Sequence, residues 1–575
     1  MKPFITETNG IYTVETPKYG LTVNGHKLIV RAANNPFAVL DIRCSAPMTN
    51  ETNDGEIPDA EPNFPTLVRV DTAPGKAVFV WENESSLWKK TYTLTCTYLH
   101  FTFHMTLHGH GRVDAIRYFA GNFENDADLG SDYEFSEGFT PCISWYDHED
   151  YTFKASVCCH RWSVLMVPPM FCYAFRCEGI TTRLGLGLAA KRGEHNFHSF
   201  DYNVTLNTGR ASFWLETDQA GHATVDGDWE APHIVGFTGE DQWDVLRQYS
   251  DYYFTSGIAK TKKAAIPPRF WHGPFLCGWI EQMILGMEQH TSACDLANEQ
   301  VYETMLATVR DYGLKPRAVI LDDKWQKCYA TDEVDTDKFP DLRAFVDRRR
   351  AEGLSTLLWF KLWDPEGLDP TLTVTADNGQ VCIDPSQPAF RELLHEVMHR
   401  LLSADEGCYD CDGFKLDYAF YNPIGRNVKS YSGKYGVELL YDMMADIYSA
   451  AKAVKPEALV NCSPCHPYFA HICDQARLHD YEPKNRNNRA DLSMRARLFS
   501  TAMPGVMLDT DNAAFHSHRD TMEWMLSQPQ IGVPDLYAAR SFRGCTLDDE
   551  DFAAIAQVWD AYNARIDAMY EDDMI

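Results

Sequence analysis

No stretch of these 575 residues is apolar for long enough to cross a bilayer. The first residues lack the apolar core of a secretory signal, so a cytoplasmic location is expected. Basic residues are scarce, with 52 Lys and Arg against 82 Asp and Glu, a net charge of −30. That deficit argues against a nucleic-acid partner and against an anionic membrane surface. There is no glycine-rich phosphate loop and no dinucleotide fingerprint, and no cofactor is expected. The 17 cysteines are an odd number in a long chain, which suits reduced, partly buried thiols better than a disulfide scaffold.

Aromatic residues are plentiful, 13% of the chain with 14 Trp. Most belong to large cores, but flat apolar faces also stack on sugars. The length exceeds what one core supports, so two or more domains are expected. Residues 1–238 read as short strands and turns. In Leu99–Leu107 the apolar residues Leu99, Phe101, Phe103, Met105 and Leu107 alternate with His100, Thr102, His104 and Thr106. This is a strand with one buried face, and its histidines read as solvated rather than as metal ligands. Similar runs at 27–31, 66–70, 77–81 and 211–215 predict a large antiparallel β-sandwich. Residues 239–268 predict a helical linker, with a helix over 239–256 and stiff Pro267–Pro268 beyond it.

Over 269–575 the rhythm changes. Strands are predicted at 275–280, 318–321, 356–362, 413–416, 458–462, 476–479, 505–508 and 533–537. Amphipathic helices are predicted at 297–312, 341–353 and 390–402, and a final helix at 547–570. A doubly wound sheet would also alternate in this way, but eight successive units over about 290 residues favour a (β/α)8 barrel.

Barrel enzymes build their sites at the C-terminal ends of the strands. Those ends carry Trp279; Asp322, Asp323 and Trp325; Trp359, Lys361, Trp363 and Asp364; Lys415 and Asp417; Cys462; Asp480; and Asp509 with Asp511. One such aspartate is explained as a helix cap. Carboxylates closing five of eight strands are not. Acids, cations and Trp without an obvious metal set suit glycoside hydrolysis, in which one carboxylate attacks the anomeric carbon and a second acts as acid and base.

The order Asp322-Asp323-Lys324-Trp325, Leu358-Trp359-Phe360-Lys361-Leu362-Trp363, Phe414-Lys415-Leu416-Asp417, Asn461-Cys462-Ser463 and His479-Asp480 resembles the melibiase-type clan of glycoside hydrolases. Family 36 is the nearest in pattern, with families 27 and 31 as relatives. The resemblance spans roughly 270–540. It implies a retaining α-glycosidase acting on an oligosaccharide or glycoside, with α-galactosides or α-N-acetylgalactosaminides favoured. It implies Asp417 as nucleophile beside Lys415, and Asp480 as acid/base. It implies Asp322, Asp323, Trp325, Cys462 and Arg489 around the sugar; Lys361, Trp363 and Trp279 are rim candidates by their strand ends. The pattern departs from the family at Ser463–Pro467, at His479, and in the missing C-terminal β-domain.

Other readings stay open. The same site could transfer sugars to sugar acceptors, or bind carbohydrate without turnover. A metal-dependent barrel enzyme is a further alternative. Cys408-x-x-Cys411 with Cys462-x-x-Cys465 looks like a zinc set, but the pairs fall on opposite barrel faces, about 15 Å apart. His516 and His518 read as polar surface. Asp474 lies before its strand and so toward the wrong end. The oligomeric state, including a homo-oligomer, is left open.

Overall fold

The computed structural model describes residues 4–32, 35–52, 55–125, 130–132, 140–141, 154–158, 167–177, 179–207, 210–261, 266–478, 488–511, 517–539 and 547–572. Its first part is an antiparallel β-region in which sequential strands pair as neighbours. Two long strands, Phe101–Tyr118 and Arg210–Glu230, form its spine, with a register shift at Val113/Ala115. The expected runs all fall inside strands: Lys27–Ala32, Thr66–Ala73, Lys76–Glu84 and Arg210–Glu230. The alternation holds from Phe101 onward, where Phe101, Phe103, Met105 and Leu107 are fully buried. It fails at Leu99, which precedes the strand and is 61% exposed. Thr97 and His100 close a turn there, and the turn carries Leu99 outward.

The helix expected at 239–256 runs Gln242–Thr255. Asp241 caps it by accepting from Asp244 N. Val245, Leu246, Tyr249 and Tyr253 are buried on it, and Tyr249 and Tyr253 both donate to Leu188 O of the β-region. This helix is therefore fused to the sheet on one side.

The second part is a parallel barrel. Its strands are β1 (Phe275–Cys277), β2 (Ala318–Leu321), β3 (Ser355–Lys361), β4 (Gly413–Asp417), β5 (Leu459–Cys462), β6 (Gln475–Arg477), β7 (Met507–Asp509) and β8 (Asp535–Leu536). From β1 to β7 each pairs in parallel with the next, and β8 pairs with β1. The bridge Asp509–Val533 and the bond from Val533 N to Leu508 O close the ring between β7 and β8. Helices Glu299–Asp311, Leu342–Ala351, Pro388–Leu402 and Gly436–Val454 lie between strands, and Asp549–Asp572 ends the chain. Asn298 and Asp341 cap two of them with side-chain oxygens.

Residues two apart on a strand share a face. Phe275 and Cys277, Ala318 and Ile320, Leu357, Leu459 and Val533 form a separate apolar cluster inside the ring. Leu276, Val319, Leu321, Leu358, Phe414 and Val460 join the larger core under the helices. The β-region docks against the loops that follow β4 and β5. Arg426 holds Asp114 through two nitrogens at 2.8 and 2.6 Å. Glu438 accepts from His195 N and from Tyr468 OH. Cys158 forms a bridge with Tyr421, four residues beyond β4.

Candidate active site

The inward face of β4 carries Lys415 and Asp417, and the register sets Lys361 of β3 directly beside Asp417. These side chains converge at the C-terminal mouth with residues from β1, β2 and β6. Asp417 is 8% exposed. Its Oδ2 accepts from Trp359 Nε1 at 3.1 Å, and its Oδ1 accepts from Tyr418 N at 2.7 Å. Arg477 Nη2 lies 3.1 Å from Oδ1. Three N–H groups on its two oxygens suit a carboxylate held in one orientation.

Among the described residues Arg477 is a cation beside Asp417, and Lys415 pairs with a different acid. Lys415 Nζ sits 2.8 Å from Asp322 Oδ2. Cys277 donates to the same oxygen at 2.9 Å. Burial alone would strip the proton from Lys415, but the Asp322 carboxylate beside it holds the ammonium charged. Burial, then Asp322, pushes the Cys277 thiol well up, so the thiol keeps its proton and serves as a donor. Asp322 is 2% exposed, and it also accepts from Asp323 N.

Asp323 is the more accessible acid of that pair, at 7%. Burial raises its pKa to about 6, with Asp322 and Asp417 adding to the rise and Tyr329 and Lys361 opposing it. Tyr329 donates to its Oδ1 at 2.7 Å. Lys361 Nζ is 2.9 Å from Asp364 and lies over the rings of Tyr329 and Tyr418 at 4.1 and 4.8 Å. Asp322, Asp323, Lys361, Lys415 and Asp417 thus lie together at the C-terminal end of the barrel.

Other candidates face elsewhere. Trp325 is 0% exposed and donates to Trp359 O, so it has no free face to stack on a sugar. Trp363 is buried and donates to Ala419 O. Cys462 is buried too. Asn461 points into the ring, toward Gln475 and Asp509, so the two-residue period turns Cys462 to the helix side, near Tyr448. Trp279 opens the helix Trp279–Gln289, half-buried against the inner cluster. Asp480 lies outside the described residues, as do His479, His516 and the side chain of Arg489. Asp474 is at the far end of β6, where its Oδ2 accepts from Val460 N at 2.9 Å and pairs with Lys452 at 2.7 Å. Among the described residues, the four sulfurs of the two Cys-x-x-Cys pairs do not converge.

Arg477, Tyr329, Tyr537 and Asp535 carry no local motif. Arg477 Nη1 also faces Asp511 at 3.5 Å, and Tyr537 donates to Asp511 Oδ1. Burial raises the pKa values of both Asp509 and Asp535; Asp511 adds to the rise at Asp509, and Asp509 adds to the rise at Asp535. Asp509 accepts from Asn461 Nδ2 and Asp511 N, so the retained proton belongs on Asp535. The signal available for Arg477 was its place at the inward end of β6.

The sequence matches no family model and no curated protein. The architecture does have solved counterparts: the chain shares the fold of α-glycoside hydrolases of families 31 and 36. One is a family 31 sulfoquinovosidase from E. rectale bound to an aza-sugar inhibitor, with TM-score 0.58, 10% identity, and coverage of 97% of this chain and 82% of that one. Another is a family 36 α-galactosidase from Geobacillus stearothermophilus bound to raffinose, with TM-score 0.52, 11% identity, and 97% and 86% coverage. At such identity the likeness establishes the fold.

Proposed function

We propose that this protein is a retaining α-glycosidase with Asp417 as the nucleophile and Asp480 as the acid/base. The observation that carries this reading is the environment of Asp417: inward-facing at the end of β4, slightly exposed, with N–H donors on both oxygens. Orientation of this kind favours in-line attack on an anomeric carbon. Asp480 follows β6, the strand that supplies Arg477, so acid and nucleophile come from strands sharing one mouth. Asp480 first protonates the leaving oxygen and then deprotonates the water that releases the sugar with retained configuration. Asp323, with Tyr329 and Lys361 around it, binds sugar hydroxyls. Asp322, tied to Lys415 and Cys277, holds that acidic pair in place. The fold shared with family 31 and 36 hydrolases supports an α-configured substrate, with α-galactosides and α-N-acetylgalactosaminides as first choices.

The test is turnover across a panel of chromogenic α-glycosides, followed by Asp417→Asn on the best substrate. The expected result is a loss of at least about 10³-fold in kcat in a variant that still folds. Near-normal turnover in that variant removes Asp417 from the role. Binding without turnover across the whole panel makes the protein a silent carbohydrate binder.

A further inference from the structure

The polar face of the strand Phe101–Tyr118 meets two other strand ends far along the chain. Phe103 pairs with Ile234, and Thr106 pairs with Glu230. Between these pairs, Ala231 N donates to Met105 O as the chain turns at Pro232 from one strand into the next. This register sets His104 beside His233, with ring centroids 4.3 Å apart and planes at 13°. Glu230 reaches over both, its Oε2 3.7 Å from His104 Nε2 and its Oε1 3.0 Å from His233 Nε2. One ligand atom from each residue fits within a 4.8 Å span.

We propose that His104, Glu230 and His233 form a divalent-cation site, suited to zinc. Two imidazoles and one carboxylate are a donor set that zinc accepts, and modest side-chain rotation brings all three atoms to bonding range of one ion. The three residues stand on hydrogen-bonded strands, so the backbone positions them in advance. His104 is three-quarters buried or more, yet no hydrogen bond reaches either of its ring nitrogens among the described residues, and its Nδ1 is enclosed. A buried imidazole whose ring nitrogens lack hydrogen bonds is out of place in an ordinary surface ion-pair cluster.

Lys191 is the occupant that an ion must displace. Its Nζ sits 2.6 Å from Glu230 Oε1, and its side chain is 60% exposed, free to swing into solvent. On the open side lies a cavity of about 190 Å³ bounded by Lys191, Asn196, Gln219, Trp229, Glu230 and His233. It leaves room for water or a small oxygen ligand to complete the coordination sphere. The site is remote in sequence from the barrel mouth and stands whether or not the barrel is a glycosidase.

The test uses the full chain, stripped with chelator and desalted, then titrated with zinc chloride by calorimetry. One zinc per chain is expected, with a raised melting temperature, because a ligand that binds only the folded state stabilises it. Cobalt(II) in place of zinc should give the visible absorption of a low-coordinate nitrogen–oxygen site. His233→Ala and Glu230→Gln should each weaken zinc by at least about tenfold. Lys191→Ala should tighten it severalfold by freeing Glu230. That last change leaves the three ligands intact, so it reports even if a histidine variant fails to fold. Absence of saturable zinc binding overturns the proposal. So does binding that none of the three substitutions alters, which would place the metal on the cysteines.

Discussion

The β-region and the barrel each bury a cluster of acids around a lysine, and the two clusters serve different ends. In the β-region, Lys90 Nζ bonds Cys44 O at 2.6 Å and Asp59 at 2.7 Å and lies 3.4 Å from Glu61, which also accepts from Tyr92 and Asn83. Lys90, Asp59 and Glu61 are each 1% exposed. This cluster is closed and pins the loop 58–62 to the strand Lys89–Thr97. In the barrel, Lys415 and Asp322 are as deeply enclosed, but Asp323 and Asp417 beside them reach the surface at 7 and 8%. Burial of charge alone does not mark a site. A buried array with one accessible edge does, because only there can substrate take the place of water.

Substitutions that separate the two clusters should differ in kind. The largest effect is expected at Arg477→Met, which removes the cation from Asp417: kcat should fall by about 10³-fold or more, with partial recovery in Arg477→Lys. Retained turnover in the Met variant would show that Asp417 works without the guanidinium beside it. Lys90→Met strands two buried acids and should cost about 3–5 kcal/mol in denaturant unfolding, while turnover per folded molecule is unchanged. A matching loss of kcat would mean that the two clusters are coupled.

Asp323→Asn sharpens the contrast through pH. The pKa of this carboxyl rises from 3.8 to about 6 on folding. The folded state thus holds the proton more tightly, and folding stability is lost as pH rises from about 4 to about 6. Above that window the loss is complete, and below it there is none. The Asn variant should therefore be the more stable protein at pH 7, by on the order of 1–3 kcal/mol, with the gain vanishing near pH 4 and turnover reduced throughout. Melting curves at the two pH values decide it. The smallest effect is expected at Leu99→Ser, within about 0.5 kcal/mol, whereas Phe103→Ala in the same apolar series should cost about 3–5 kcal/mol.

Legibility followed the range of the interaction. The barrel strands Ala318–Leu321 and Gly413–Asp417 stand out because short apolar runs between capped amphipathic helices are local patterns. Asp322, Asp323 and Asp417 stood out because strand ends in a barrel share one face. Motif similarity alone sets Trp325 and Cys462 against the sugar, and a strand end alone makes Trp363 a rim candidate. Their orientation depends on which way the chain turns after each strand, and no motif encodes that. Lys415 was assigned to its neighbour in sequence, but its side chain crosses the ring to Asp322, 2.8 Å away.

The sequence by itself determined the alternation of strand and helix, the division between an antiparallel region and a barrel, and the placement of acids at strand ends. These follow from periodicity and capping, which act over a few residues. Tertiary structure alone decided which cation serves which acid, that Asp323 holds a proton to about pH 6, and that His104 meets Glu230 and His233. Those facts depend on desolvation and on contacts between residues dozens to hundreds of positions apart, which only closure of the ring and pairing of the sheet can create.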